Sequence, residues 1–253
     1  MIKIGLDTES LHLWFQNKRM DIFGFIEKAH ELGFDGVMIN ILKDYNLDPE
    51  WGTLESNDPE HLKKVRELLE SYHMYAELAT KGITKEHLLK VLDVAEALCA
   101  DIIRTYIPIT LNPLASRTTG GEGKYDQAKV RGDFDPVVFD EAAMTLCQII
   151  PELKKRRIRL ALENYEYETS EELVQVMKKL NTPWIGLHYD FGNSMMAWED
   201  PAQAARNMAP YTITTHFKDH IVIPYPDDPY GYVVCGIPVG KGNMDLKHLL
   251  QII

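Results

Sequence analysis

The chain has 253 residues, 45% of them hydrophobic, which suits one large core. Its formal net charge of -11 repels a phosphate backbone and argues against nucleic acid as a partner. The three cysteines, Cys99, Cys147 and Cys235, have no CxxC spacing, which argues against both a disulfide framework and a cysteine zinc site.

Met1-Ile2-Lys3 runs straight into a strand-like pattern, so no signal peptide is visible. No apolar run approaches the roughly 20 residues a bilayer requires. A cytoplasmic protein without a membrane partner is the expectation. Ile2 to Leu6 reads as a strand, and Asp21 to Leu32 as a helix with Ile22, Phe25, Ile26 and Ala29 on one face. Gly36 to Asn40 is the second strand. Asp58 is a natural N-cap with Pro59 at the first helical position, ahead of Leu62, Val65 and Leu69. Met74 to Ala79 is the third strand, Thr84 opens a helix through about Leu98, and Ile102 to Ile107 is the fourth strand.

Pro108 to Phe134, with Gly120-Gly121 and Gly123, reads as a long loop of the functional or mobile kind. Asp135-Pro136 repeats the cap-then-proline signal for a helix to about Lys155. Arg159 to Asn164 is strand five. Thr169 and Glu172 have capping-box spacing ahead of Leu173, Val176, Met177 and Leu180. Ile185 to Asp190 is strand six, Asp200-Pro201 opens a helix, and Thr212 to Phe217 is strand seven. A Pro/Tyr/Asp-rich insertion reaches about Cys235, and Asp245 starts the last helix.

Seven strand–helix units imply a parallel sheet, because parallel neighbours need a crossover. No GxGxxG follows the first strand, which weakens a dinucleotide-binding reading. The expected fold is α/β: a single (βα) TIM-type barrel over residues 1–253 that lacks its eighth strand, as in a truncated chain.

In a parallel barrel the active face lies at the strand C-termini. The polar groups there are Asp7, Glu9, Asn40, Glu77, Arg104, Glu163, Asn164, His188, Asp190, His216, Lys218 and Asp219. Strand side chains alternate with period two. If Glu163, Asp190 and His216 point inward on strands five, six and seven, two carboxylates and an imidazole converge, with His188 and Lys218 on the same parity. A divalent cation relieves the repulsion of the two carboxylates. A mixed oxygen and nitrogen set suits Mn²⁺ best, with Mg²⁺, Co²⁺ and Zn²⁺ as alternatives. Such a metal polarises a carbonyl and stabilises an enediolate.

His188 reads equally as a substrate hydrogen-bonding group or as packing behind Asp190. Lys218, an inward lysine, calls for an anionic partner or a substrate oxygen. Arg104 divides between substrate contact and a salt bridge. Glu9, His12 and Asn40 either line a pocket or sit in a plain loop. Gly240-Lys241-Gly242 reads as a tight turn in preference to a phosphate cradle. His30, His61, His73, His87, His220 and His248 read as solvated.

The runs Ala161-Leu162-Glu163-Asn164, His188-Tyr189-Asp190-Phe191-Gly192-Asn193, Thr215-His216-Phe217-Lys218-Asp219 and Pro238-Val239-Gly240-Lys241-Gly242-Asn243-Met244-Asp245 resemble the xylose-isomerase-like sugar (phosphate) isomerase/epimerase superfamily. The resemblance implies that Glu163, Asp190 and His216 are metal ligands and that Glu163 is half of an acid/base pair. Its other half is a Glu on an eighth strand beyond Ile253. Asn193 stands where free-ketose 3-epimerases commonly carry a histidine; the Asp-x-Gly-Asn form here resembles the pentulose-phosphate 3-epimerase branch.

The functional expectation is therefore a metal-dependent isomerase or epimerase of a ketose, sugar phosphate or keto sugar acid. Glu163 and Lys218 are the catalytic residues, and Glu9, His12, Asn40, Arg104, His188 and Asn193 bind a small carbohydrate substrate. The alternative is a lyase or decarboxylase of an oxo-sugar acid on the same site. A related-fold endonuclease is opposed by the charge balance, a non-catalytic carbohydrate-binding module predicts ligand affinity indifferent to chelation, and a homo-oligomer stays open.

Overall fold

The computed structural model describes residues 2–41, 50–108, 137–165, 167–225, 227 and 231–253. The expected loop Pro108 to Phe134 and the Asp135-Pro136 cap lie outside the described residues, apart from Pro108 itself. The chain divides into two compact units: Met1–Tyr106 with Gln148–Ala161, and Ile107–Cys147 with Leu162–Ile253.

In the first unit, strands β1 (Gly5–Asp7), β2 (Gly36–Asn40), β3 (Tyr75–Ala79) and β4 (Ile102–Thr105) follow one another as parallel neighbours. β2 and β4 are buried throughout, as a sheet covered on both faces requires. Short α1 (His12–Gln16) follows the first strand, and the helices α2 (Ile22–Glu31), α3 (Pro59–Ser71) and α4 (Lys85–Leu98) start where the sequence places their caps. The Asp21 carboxylate accepts from the Gly24 amide, Asp58 accepts from those of Glu60 and His61, and the Thr84 hydroxyl accepts from that of His87. Each helix buries the stripe its spacing predicts, such as Ile22, Phe25, Ile26 and Ala29 in α2.

The single helix expected up to Lys155 is two: α5 (Val137–Cys147) in the second unit and α6 (Ile150–Arg156) in the first. Pro151 is the physical reason. It has no N–H, and its ring clashes with the carbonyl four residues back, at Cys147, where α5 stops. α6 is fastened by Arg156, whose guanidinium lies 2.6 Å from Asp93 and 2.7 Å from Glu96 on α4.

The division between units falls inside β5 (Arg159–Glu163). In the second unit, α7 (Ser170–Leu180) packs against α5 and against α9 (Pro201–Met208), which in turn meets α10 (Leu246–Ile252). Strand β6 (Ile185–Asp190) is buried throughout, is followed by short α8 (Asn193–Met196), and pairs in parallel with β7 (Thr212–His216). The expected Pro/Tyr/Asp-rich insertion is an antiparallel hairpin instead, β8 (Asp219–Pro224) with β9 (Tyr232–Ile237). The β-branched runs Ile221-Val222-Ile223 and Val233-Val234 supply its strand propensity.

All three cysteines are free, and among the described residues no helix is long and apolar enough to cross a membrane.

The capping box on α7 is complete: Glu172 N–H donates to the Thr169 hydroxyl, and the Glu172 carboxylate accepts from the Thr169 amide at 2.7 Å. Thr169→Ala is expected to lower stability by about 1 kcal/mol in urea unfolding, with Thr169→Ser close to the parent. An unchanged midpoint for Thr169→Ala means the cap contributes nothing.

Candidate functional site

The site lies wholly in the second unit, at the C-terminal ends of β5, β6 and β7. Glu163 ends β5, Asp190 ends β6 and His216 ends β7. The pairing of β6 with β7 decides whether these side chains meet. Leu187 is level with Thr212, but His188 is level with Thr214 and Asp190 with His216. The register slips by one residue between Leu187 and His188, so Ile213 has no opposite number. Without the slip, Asp190 would stand level with a residue of the other parity, and His216 would face away from it. Gly186 helps the strands close up: a Cβ there would lie 2.6 Å from the Tyr211 carbonyl oxygen and 2.9 Å from Ile213.

The result is a tight polar cluster. Nδ1 of His216 lies 3.5 Å from Oε1 of Glu163 and 3.5 Å from Oδ2 of Asp190. The His188 ring stands edge-on to that of His216, with centroids 4.1 Å apart. Glu163, His188 and His216 each offer a donor atom, all within 4.8 Å of one another. Lys218 Nζ is 3.0 Å from Oδ2 of Asp190. Glu163 and Asp190 are each 1% exposed, while the Lys218 side chain is 43% exposed.

Two asparagines fix the carboxylates. Asn164 accepts from the Asp190 amide at 2.7 Å and donates to the Asp190 carbonyl at 3.1 Å, clamping the end of β6 from both sides. Asn193, buried in the first turn of α8, donates to Oε1 of Glu163 at 3.2 Å. Oδ1 of Asp190 accepts from the amides of Gly192 and Asn193 at 2.9 and 3.3 Å. Burial opposes ionisation of Asp190, but the His216 hydrogen bond and the Lys218 charge prevail and hold its carboxyl below the usual range.

This donor set fits a divalent cation. Carboxylate oxygens and imidazole nitrogens at such separations match the ligand types of Mn²⁺, Zn²⁺ and Co²⁺ sites.

Glu9, His12, Asn40 and Arg104 belong to the first unit. Glu9 is exposed, and Nδ1 of the half-buried His12 is hydrogen-bonded to the Glu9 carbonyl at 2.7 Å. Asn40 is buried and donates to Asp7 at 2.5 Å and to the Thr8 hydroxyl at 3.1 Å, joining the ends of β1 and β2. The buried Arg104 guanidinium lies over the Tyr106 ring, 5.2 Å from its centroid.

Asn164, placed among the strand-end polar groups by the sequence, is the clamp on Asp190. One residue escaped the sequence reading. His220, expected on the surface, is buried with 8% exposure. Burial, followed by the nearby Lys218 charge, pushes its imidazole pKa down. Its contact with Gly192, distant in sequence, covers it, and local spacing does not announce that.

Asp219 explains the Gly240-Lys241-Gly242 run. Its Oδ2 accepts from the Gly240 amide at 3.0 Å and the Gly242 amide at 2.8 Å, and its Oδ1 from the His220 amide at 2.9 Å. Those amides serve a turn, not a phosphate. Burial opposes ionisation of Asp219, but the amides of Gly242, Gly240, His220 and Met244 outweigh it and hold the carboxyl below its ordinary range. A depressed carboxylate contributes stability above its unfolded pKa and loses it as pH falls through the folded one. Asp219→Asn is expected to lower the urea midpoint at pH 7, with the gap to the parent narrowing as the solution is acidified below the ordinary aspartate range. A gap independent of pH contradicts this.

The comparisons agree with this architecture. The 3-oxo-isoapionate decarboxylase of Pectobacterium atrosepticum is 26% identical over 251 residues, spanning 99% of this chain and 80% of that protein. The crystal structure of D-psicose 3-epimerase in the presence of D-fructose has a TM-score of 0.64 at 14% identity, covering 99% of this chain and 80% of that one. The IOLI protein with a binding zinc atom has a TM-score of 0.65 at 12% identity, covering 99% and 84%. These structural likenesses show the fold. The family model described as "Xylose isomerase-like TIM barrel" matches residues 26–253, which contain every strand from β2 onward and the whole polar cluster, and the chain belongs to that family.

Proposed function

We propose that this chain is a divalent-metal-dependent isomerase or epimerase of a ketose, a sugar phosphate or a keto sugar acid, with Glu163, Asp190 and His216 holding the cation. One observation carries the reading: a single imidazole nitrogen, Nδ1 of His216, stands 3.5 Å from a carboxylate oxygen of each of two buried acids. Mn²⁺ suits the mixed oxygen and nitrogen set, and the zinc of the IOLI structure makes Zn²⁺ the alternative. When bound, such an ion supplies Lewis acidity toward substrate oxygens.

The chain's own groups divide the remaining work. Glu163 takes the proton from the substrate carbon and returns it. Asn193 holds Oε1 of that carboxylate in place, so its orientation is set before substrate arrives. His188, inside the same cluster, orients a substrate hydroxyl. Lys218 brings a cation on a half-exposed stem, suited to an anionic substrate group or to delivering a proton.

A lyase or decarboxylase reaction is the second reading, favoured by the decarboxylase relative that aligns along 99% of this chain. There the C–C bond to a carboxylate breaks, its electron pair stays on carbon, and one proton, delivered by Lys218, completes the product.

Glu163→Gln is expected to slow deuterium incorporation from heavy water into a responsive ketose by about 10² to 10⁴-fold. Exchange at the parent rate removes Glu163 from the proton shuttle. Chelation should abolish turnover of the parent protein and added Mn²⁺ should restore it; turnover indifferent to chelator defeats the metal assignment. Gas release from a panel of oxo-sugar acids, without exchange into ketoses, selects the decarboxylase reading.

A further inference from the structure

Gly192 follows Asp190 by two residues and has φ of -87°, a value any residue adopts. Backbone freedom therefore does not explain the glycine; contact does. A Cβ at this position would lie 2.0 Å from Cε1 and 2.1 Å from Nδ1 of His220, and 3.0 Å from Cε of Lys218. The imidazole thus rests on the bare Cα of Gly192, with the end of the Lys218 stem beside it. Side-chain Nδ1 of His220 is buried against this surface and has no hydrogen-bond partner among the described residues.

The ring is held from behind. The His220 amide donates to Asp219 at 2.9 Å, and its carbonyl accepts from the Asn243 amide at 2.8 Å. Asn243 in turn accepts from the Val222 amide at 2.8 Å. Asp219 is itself anchored on the Gly240 and Gly242 amides. Gly242 leaves no slack, since a Cβ there would fall 2.1 Å from Oδ1 of Asp219 and 2.3 Å from the His220 carbonyl oxygen. Gly192 meanwhile donates its amide to Oδ1 of Asp190, while Lys218 reaches Oδ2 of the same carboxylate.

We propose that His220 is a positioning residue: the imidazole and Gly192 form a seat for the Lys218 stem and fix its ammonium at Asp190. A four-carbon stem that is 43% exposed has many rotamers in water. The seat removes most of them without touching the cation, so Lys218 is delivered to one edge of the site. The part Lys218 plays in turnover rests on the function proposed above; the seat does not.

The test reads Lys218 directly, by acetylation with a water-soluble ester followed by peptide mass mapping, in the full chain with chelator present. Gly192→Ala, which collides with the ring, and His220→Ala, which removes it, are each expected to raise Lys218 labelling about tenfold as the charge-assisted contact is lost. Exposed Lys241 should label at the parent rate and serves as the internal reference. The double variant should label Lys218 less than Gly192→Ala does, because the new methyl group enters the space the ring has left. In an isomerase or lyase assay, His220→Ala should lower kcat/KM and His220→Asn should recover part of it. Lys218 labelling unchanged in both single variants overturns the seat; should Gly192→Ala fail to fold, His220→Ala alone decides by the same criterion. Failure of the parent protein to bind any divalent ion defeats the proposed function and leaves this result standing.

Discussion

Two carboxylates, Glu163 and Asp190, stand almost fully buried around one imidazole, and the rest of the second unit answers to that fact. Moving an ion from water into a protein interior costs on the order of several kcal/mol even after relaxation. Asp190 is compensated in place: two amides on Oδ1, and His216 and Lys218 on Oδ2. Glu163 receives an amide N–H from Asn193 and the imidazole edge of His216. Lys218 offsets part of the Asp190 charge, while the neutral amides only orient the two carboxylates, so the cluster still suits a cation in a way that an ordinary buried hydrogen-bond network does not.

Preorganisation follows from how the cluster is supported. Each acidic residue ends a strand, so its backbone is set by pairing and packing. The Asn164 clamp on both polar backbone groups of Asp190 adds a side-chain bridge where β6 gives way to α8. Behind the polar cluster lies an aromatic layer. The Phe191 ring is 5.0 Å from both Tyr189 and Phe217, and Tyr189 donates its hydroxyl proton to the Pro201 carbonyl. Such packing resists the sub-ångström drift that loosens a constellation built on long loops.

The sequence showed the strand–helix alternation and the helix starts clearly, because caps and apolar spacing are local: Asp21, Asp58, Thr84, Thr169, Asp200 and Asp245 all cap where expected. Strand parity put Glu163, His188, Asp190, His216 and Lys218 on one side, and their side chains do lie together, but the argument was incomplete. Period-two alternation within β6 and within β7 does not fix their mutual phase, and the slip between Leu187 and His188 is what makes the two faces agree. That slip is a property of pairing, invisible in either strand alone. The β8–β9 hairpin was hidden for a similar reason: its proline and aspartate content spoke for a loop, while its β-branched runs were short. His220 went with it, since its burial depends on a contact with Gly192 that is remote in sequence.

Isomerisation and decarboxylation share a need that this geometry addresses, namely negative charge gathering on oxygen next to the reacting carbon. They differ in what leaves and in how many proton transfers follow. Proton return to the same face requires only the group that removed it, whereas epimerisation by two bases requires a second acid across the carbon. Lys218 would be well placed to influence that choice because its ammonium meets Asp190 while its side chain stays partly open to solvent. On the proposed reading, it would favour substrates carrying their own negative group near the reacting centre, a carboxylate above all. An oxo-sugar acid would then meet both the cluster and the lysine, and a neutral ketose only the cluster. On the proposed reading, substrate charge is thus a property by which a cation at this position would discriminate.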